Sequence, residues 1–145
     1  MLARQLDRER YEQRLVARSA SGPIADELRA AGVPVDLLGG TGFFDARAFA
    51  RGIRIARAFR PHIVHGAVFE GVGLAVVLGR AVGATVVVEE TSHAVNRSWA
   101  GHALFRALAL SAHACVAISP AVARYLEQVT HLPSSRITVK IGRAS

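Results

Sequence analysis

Apolar residues fall along this chain in two alternating rhythms: short β-branched runs, and longer stretches whose apolar positions recur near the helical period. Leu2 and Leu6, set among Ala, Gln, Arg and Glu, predict an exposed opening helix that gives way to a strand over 14–18. Ser21-Gly22-Pro23 starts a helix through residue 31, since proline is tolerated at the first helical position and Gly32 can close the end. A strand over 35–38 follows. Asp45 then caps a helix running to Phe59, with Phe49, Ile53, Ala56 and Phe59 on one side and Arg47, Arg51 and Arg54 opposite; Pro61 stops it.

From residue 62 one unit recurs. Strand 62–66, helix 72–82 closed by Gly83, strand 85–89, helix 98–113, strand 114–118, a helix opened by Ser119-Pro120 and ending near residue 129, and a last strand 137–141 complete the series. Strands alternating with helices imply parallel βαβ units with right-handed crossovers. The expected class is α/β: a Rossmann-like parallel sheet with helices on both faces, in a single domain. Such domains open with a strand and a glycine turn, whereas here the first residues read as helix, so the first strand is expected to be missing.

Composition narrows the function. The chain has 145 residues, 51% hydrophobic and 20% charged, with 13 Gly and 5 Pro, which fits one globular domain and excludes collagen, coiled coil and linker. One Cys and six His without a CxxC leave no disulfide framework and no zinc site of usual spacing, which points to a reducing compartment and the cytoplasm. MLARQLDRER is too charged for a secretory signal, and the most apolar window, 63–78, is shorter than the ~20 residues of a membrane span. The net charge of +7 favours phosphates, anionic lipid or nucleic acid as neighbours. Nucleic acid is not expected, because the arginines are not interleaved with aromatics and no helix-turn-helix or RNA-binding signature occurs. The arginine face of the 45–59 helix faces water or rests peripherally on anionic membrane.

Ligand crevices of parallel sheets lie beyond the carboxyl ends of the strands. The first such loop holds His65 and Glu70; a carboxylate at a helix start also suits the helix dipole without any ligand. His62 and His65 cannot chelate one ion, since strand residues three apart face opposite ways, and no metal is expected. The second loop concentrates Glu89, Glu90, Thr91, Ser92 and His93 after a buried apolar run, and is the most site-like cluster. Glu89 and Glu90 should project to different faces. In the third, Ser119 is a helix cap or a ligand contact, and Cys115 a buried inert thiol. Gly39-Gly40-Thr41-Gly42 matches neither nucleotide-loop pattern and reads first as a flexible turn.

The segments LDRERYEQRLVARS, GPIADELRAAGVPVDLL, RPHIVHGAVFEG, VGATVVVEETSH and CVAISPAVARYL, in this order, resemble the N-terminal domain of family-four glycosyltransferases, the retaining, sugar-nucleotide-dependent group of GT-B fold. The resemblance implies that residues 1–139 are the acceptor-side half of such an enzyme and that 140–145 form a tail where an interdomain linker would begin. It implies an acceptor that is a glycan, lipid or small molecule, a role in making cell-envelope polysaccharide, and a place in the cytoplasm peripheral to the inner face of the membrane. No cofactor is expected in this chain; the nucleotide sugar would bind a second domain, absent here or supplied as a separate donor-binding partner. By the same resemblance His93 is the catalytic position near the sugar, with His65, Glu70, Glu90 and Ser119 on the acceptor side. His65 matches only the first histidine of the family's His-x-His, being followed by Gly66 and Ala67. The end reads Lys140-Ile141-Gly142-Arg143-Ala144-Ser145 where the family continues Ile-Pro-Asn-Gly-Val. The expectation is a truncated or frameshifted product, inactive alone. Two alternatives stay open: a non-catalytic Rossmann-like module paired with a separate partner chain, and a small nucleotide-binding protein using residues 39–42.

Overall fold

The computed structural model describes residues 6–7, 9–19, 23–40, 45–91 and 97–140. Its elements, in chain order, are β1 (Leu15–Ala17), α1 (Pro23–Ala30), β2 (Val35–Leu37), α2 (Ala46–Phe59), β3 (Ile63–Ala67), α3 (Val68–Val82), β4 (Thr85–Glu90), α4 (Trp99–Ser111), β5 (Ala114–Ala117), α5 (Pro120–Thr130), a 3-10 turn (Ser134–Arg136) and β6 (Ile137–Val139). All strand pairs are parallel, in a two-stranded sheet β1-β2 and a four-stranded sheet β3-β4-β5-β6. The α/β Rossmann-like class is therefore as the sequence implies. The strands form two sheets instead of one, because among the described residues no strand pairs with members of both. The chain correspondingly divides into two compact units, Met1–Gly52 and Ile53–Ser145.

In the first unit β1 and β2 pair from Leu15↔Val35 to Ala17↔Leu37, and Arg14 Nε meets Asp36 Oδ2 at 3.0 Å. The opening helix expected around Leu2 and Leu6 lies largely outside the described residues. The Asp7 carbonyl accepts from Tyr11 N–H at 2.9 Å and its Oδ1 from Glu9 N–H at 2.9 Å, so the aspartate closes a single turn that does not propagate. Asp45 caps α2 as expected, its Oδ1 accepting from Arg47 and Ala48 N–H. Gly39 and Gly40 adopt φ of +67° and +92°, and a Cβ on Gly40 would strike the Asp45 carboxylate, so this turn requires glycine. The buried stripe of α2 is Ala48, Gly52 and Ala56; of the four expected residues only Ala56 belongs to it, while Phe49, Ile53 and Phe59 are half-buried.

The second unit holds the larger core. Its strands follow one another in sequence order, and right-handed crossovers then place α3, α4 and α5 on one face of the sheet. Val86 and Val88 of β4 and Cys115 and Ala117 of β5 face that layer and are buried against Val72, Phe105, Val122 and Leu126. The opposite face carries Ile63, His65 and Ala67 of β3, in register with Thr85, Val87 and Glu89 of β4. Helix α3 begins at Val68, directly after β3 and one turn before the expected start at residue 72. That abrupt entry depends on Gly66, where a Cβ would collide with the Gly71 carbonyl oxygen and lie 2.6 Å from Ala75 Cβ. Backbone and packed helix both resist the added methyl, so Gly66→Ala should lower stability by about 1–3 kcal/mol, read as a reduced urea midpoint at unchanged slope.

Candidate functional site

The carboxyl ends of β3, β4 and β5 converge where the starts of α3, α4 and α5 leave the sheet. Strand alternation sends the two adjacent carboxylates of β4 to opposite faces. Glu89 lies on the face of β3 that carries His65, and His65 Nε2 sits 3.1 Å from Glu89 Oε2, with their side chains 32% and 15% exposed. Across this contact the imidazole Nε2 donates to the carboxylate. The pair presents a carboxylate and an imidazole side by side, hydrogen-bonding groups able to take up a hydroxyl.

Glu90 points the other way, into the helix-covered core, where it is 3% exposed. Its Oε2 accepts from Arg97 Nη2 at 2.9 Å and its Oε1 from Thr91 N–H at 3.1 Å. The Arg97 guanidinium lies over two aromatic rings, 4.9 Å from the Phe69 centroid and 4.5 Å from that of Phe105. These contacts join the end of β4 to the first turn of α3 and the approach to α4. Glu90 is thus held inside the fold, and Glu89 is the carboxylate that meets His65.

The other residues singled out in the sequence are dispersed. Glu70 is exposed in the first turn of α3, where the helix dipole favours it. Ser119 caps α5, its Oγ accepting from Val122 N–H at 3.2 Å, and Ser98 caps α4 in the same way through Gly101 N–H. His93 and Ser92 lie outside the described residues. Val68, at the junction of β3 and α3, has φ +63° and is 55% exposed, a strained conformation for a β-branched residue, held at the mouth of the crevice. Cys115 is 1% exposed, and burial, with the Glu90 charge adding to it, pushes its thiol from 9.0 up to about 12. No three His, Cys, Asp or Glu side chains among the described residues gather as metal ligands. No helix among them is long and apolar enough to cross a membrane.

The sequence reading missed Arg97, and it counted Glu89 in the most site-like cluster but assigned the acceptor contact to Glu90. His65 and Glu89 meet only through the β3–β4 register, which no local motif reveals. Arg97 was visible only as an arginine before a serine cap.

A parallel sheet with crossover helices and polar residues at its carboxyl ends defines a Rossmann-like fold. The crystal structure of a glycosyltransferase from Rickettsia africae ESF-5 matches it with a TM-score of 0.65 at 15% identity, over 87% of this chain and 33% of that one. This chain therefore spans about a third of the length of that structure. Residues 1–140 match the glycosyl transferase 4-like domain, and the chain belongs to that family. Comparison with curated proteins finds no relative.

Two outcomes follow from the buried groups. Arg97→Met should cost about 3–5 kcal/mol by stranding the Glu90 charge in the core, and the double variant Glu90→Met/Arg97→Met should regain most of that loss in a denaturation cycle. The raised Cys115 thiol should resist iodoacetamide at pH 8 in the folded chain and react at once in urea. Because its folded pKa lies above the unfolded value, its contribution to stability is complete below pH 9.0 and is lost as pH rises towards 12.

Proposed function

We propose that this chain is the acceptor-side half of a nucleotide-sugar-dependent glycosyltransferase of GT-B architecture, transferring a hexosyl group to a glycan, lipid or small-molecule acceptor. The observation that carries the reading is the His65–Glu89 pair at the carboxyl end of a parallel sheet, in a chain of the glycosyl transferase 4-like family. On this reading the acceptor hydroxyl lies against His65 and Glu89, with Glu70 and Ser119 on the rim and His93 near the sugar. The donor is bound by a second domain, carried on the same or another polypeptide. In the transfer the acceptor oxygen bonds to the anomeric carbon with retention, the nucleoside diphosphate leaves with the electron pair, and the hydroxyl proton is released. Positioning and exclusion of water in a closed cleft supply most of the rate, so half a cleft gives little turnover.

A second reading, a non-catalytic module completed by a partner chain, is favoured by β3. Among the described residues it pairs on one edge only, and its Ile63 is 60% exposed.

The two readings separate in solution. Saturation-transfer NMR of the purified chain with a panel of glycan and glycolipid acceptors should show binding that weakens about tenfold in His65→Ala and in Glu89→Gln, each removing one hydrogen-bonding contact. Nucleotide sugars should bind negligibly and no sugar should be transferred. Acceptor binding indifferent to both substitutions, or turnover by the isolated chain, would sink the acceptor-half reading.

A further inference from the structure

At the amino ends of β3 and β4, away from the crevice, a cavity of about 440 Å³ opens between the end of α2 and the end of α3. It is lined by Arg57, Arg60, Pro61, His62, Ala81, Val82 and Gly83. Three of these seven bear cationic or imidazole side chains, and none is acidic. The side chains of Arg57, Arg60 and His62 have no ion pair or hydrogen bond among the described residues, a state they share with the exposed Arg47, Arg54 and Arg80, and what sets them apart is that they line one cavity.

The local backbone reinforces the arrangement. Arg60 has φ +52°, the left-handed conformation that glycine normally supplies after a helix, and it precedes Pro61. Gly83, at the corresponding place after α3, has φ +70° and is the expected residue type. The electrostatics also decide the sign of the ligand. Each helix end contributes about half a negative charge, roughly one in total, against two guanidinium groups, so the cavity keeps a net positive charge before His62 is counted. Guanidinium forks bind phosphate oxygens in pairs, and the volume exceeds that of a lone phosphate ion.

We propose that this cavity is a binding site for a phosphate-bearing ligand, with Arg57 and Arg60 as the charge clamp and His62 as an additional hydrogen-bonding group. The site lies at the opposite end of the sheet from His65 and Glu89 and is independent of the glycosyltransferase reading. The phosphoryl group belongs either to a soluble ester or to a lipid headgroup at a membrane surface.

Calorimetry with inorganic pyrophosphate, and flotation with phosphatidylcholine vesicles with and without phosphatidylglycerol, distinguish the two sources. Arg60→Gly is the decisive variant, because it removes the side chain while relieving backbone strain and should leave the melting temperature unchanged or raised. Arg57→Gln is the second variant, and Arg124→Gln, on α5, is the control. Arg60→Gly and Arg57→Gln should each weaken binding about tenfold or more, and the double variant should abolish it, with the control unaffected. Pyrophosphate binding lost in these variants assigns a soluble ligand, and vesicle binding alone, lost in the same variants, assigns a headgroup. No binding to either probe, or binding that Arg124→Gln weakens as much as Arg60→Gly, overturns the site.

Discussion

Two adjacent carboxylates cannot share one face of a strand, and most of what distinguishes this molecule follows from how β4 resolves that constraint. Glu90 turns toward the helices and Glu89 away from them. A bare carboxylate in the core would cost several kcal/mol, so Glu90 demands a cation, and Arg97 supplies it from the approach to α4. Arg97 in turn needs partners for its flat faces, which Phe69 of α3 and Phe105 of α4 provide. One buried charge thus draws the end of a strand and two helices to a common point. Glu89, released from any part in the core, is left to meet His65 on the other face.

The same economy appears at β3. With no loop between β3 and α3, the first helical turn must pass close over the strand, which only the bare backbone of Gly66 permits. The shortness of that junction is absorbed at Val68, whose left-handed conformation sits beside the crevice mouth. Gly66 gives the close approach and Val68 bears the strain. The strain falls on an exposed residue, where no core contact has to be distorted with it.

Much of the fold was legible from the chain alone. Alternation of β-branched runs with helical periods placed every described strand and helix from residue 23 onward to within a few residues, because caps such as Asp45, Ser98 and Ser119 and closing glycines such as Gly83 act locally. The errors lie where the decision is not local. After Asp7, whose carbonyl and carboxylate take up the Tyr11 and Glu9 amides, the chain makes a single turn and, among the described residues, no helix before β1. In α2, Ala and Phe are so dense that several stripes are apolar, and packing chose the small one, Ala48, Gly52 and Ala56. The start of α3 was placed a turn late because nothing in the sequence of Gly66 to Gly71 shows that a glycine is being used for close packing instead of for a loop.

The candidate site was legible to a lesser degree, and for a definable reason. Residue types near strand ends can be read from sequence, and so His65, Glu70, Glu89, Glu90 and Ser119 all stood out. Which of them face one another depends on register between strands some twenty residues apart, a property of the assembled sheet. Alternation alone showed that Glu89 and Glu90 diverge, but only the pairing of His65 with Val87 and of Ala67 with Glu89 decides which carboxylate reaches the imidazole. The cationic cavity at the other end of the sheet was hidden for the same reason. Arg57, Arg60 and His62 are close in sequence, yet they line a cavity only because Ala81 to Gly83 closes it from a separate helix. In a parallel sheet built from successive crossovers, both ends collect side chains from different units. Chemistry at either end is therefore a product of the fold, not of any one segment.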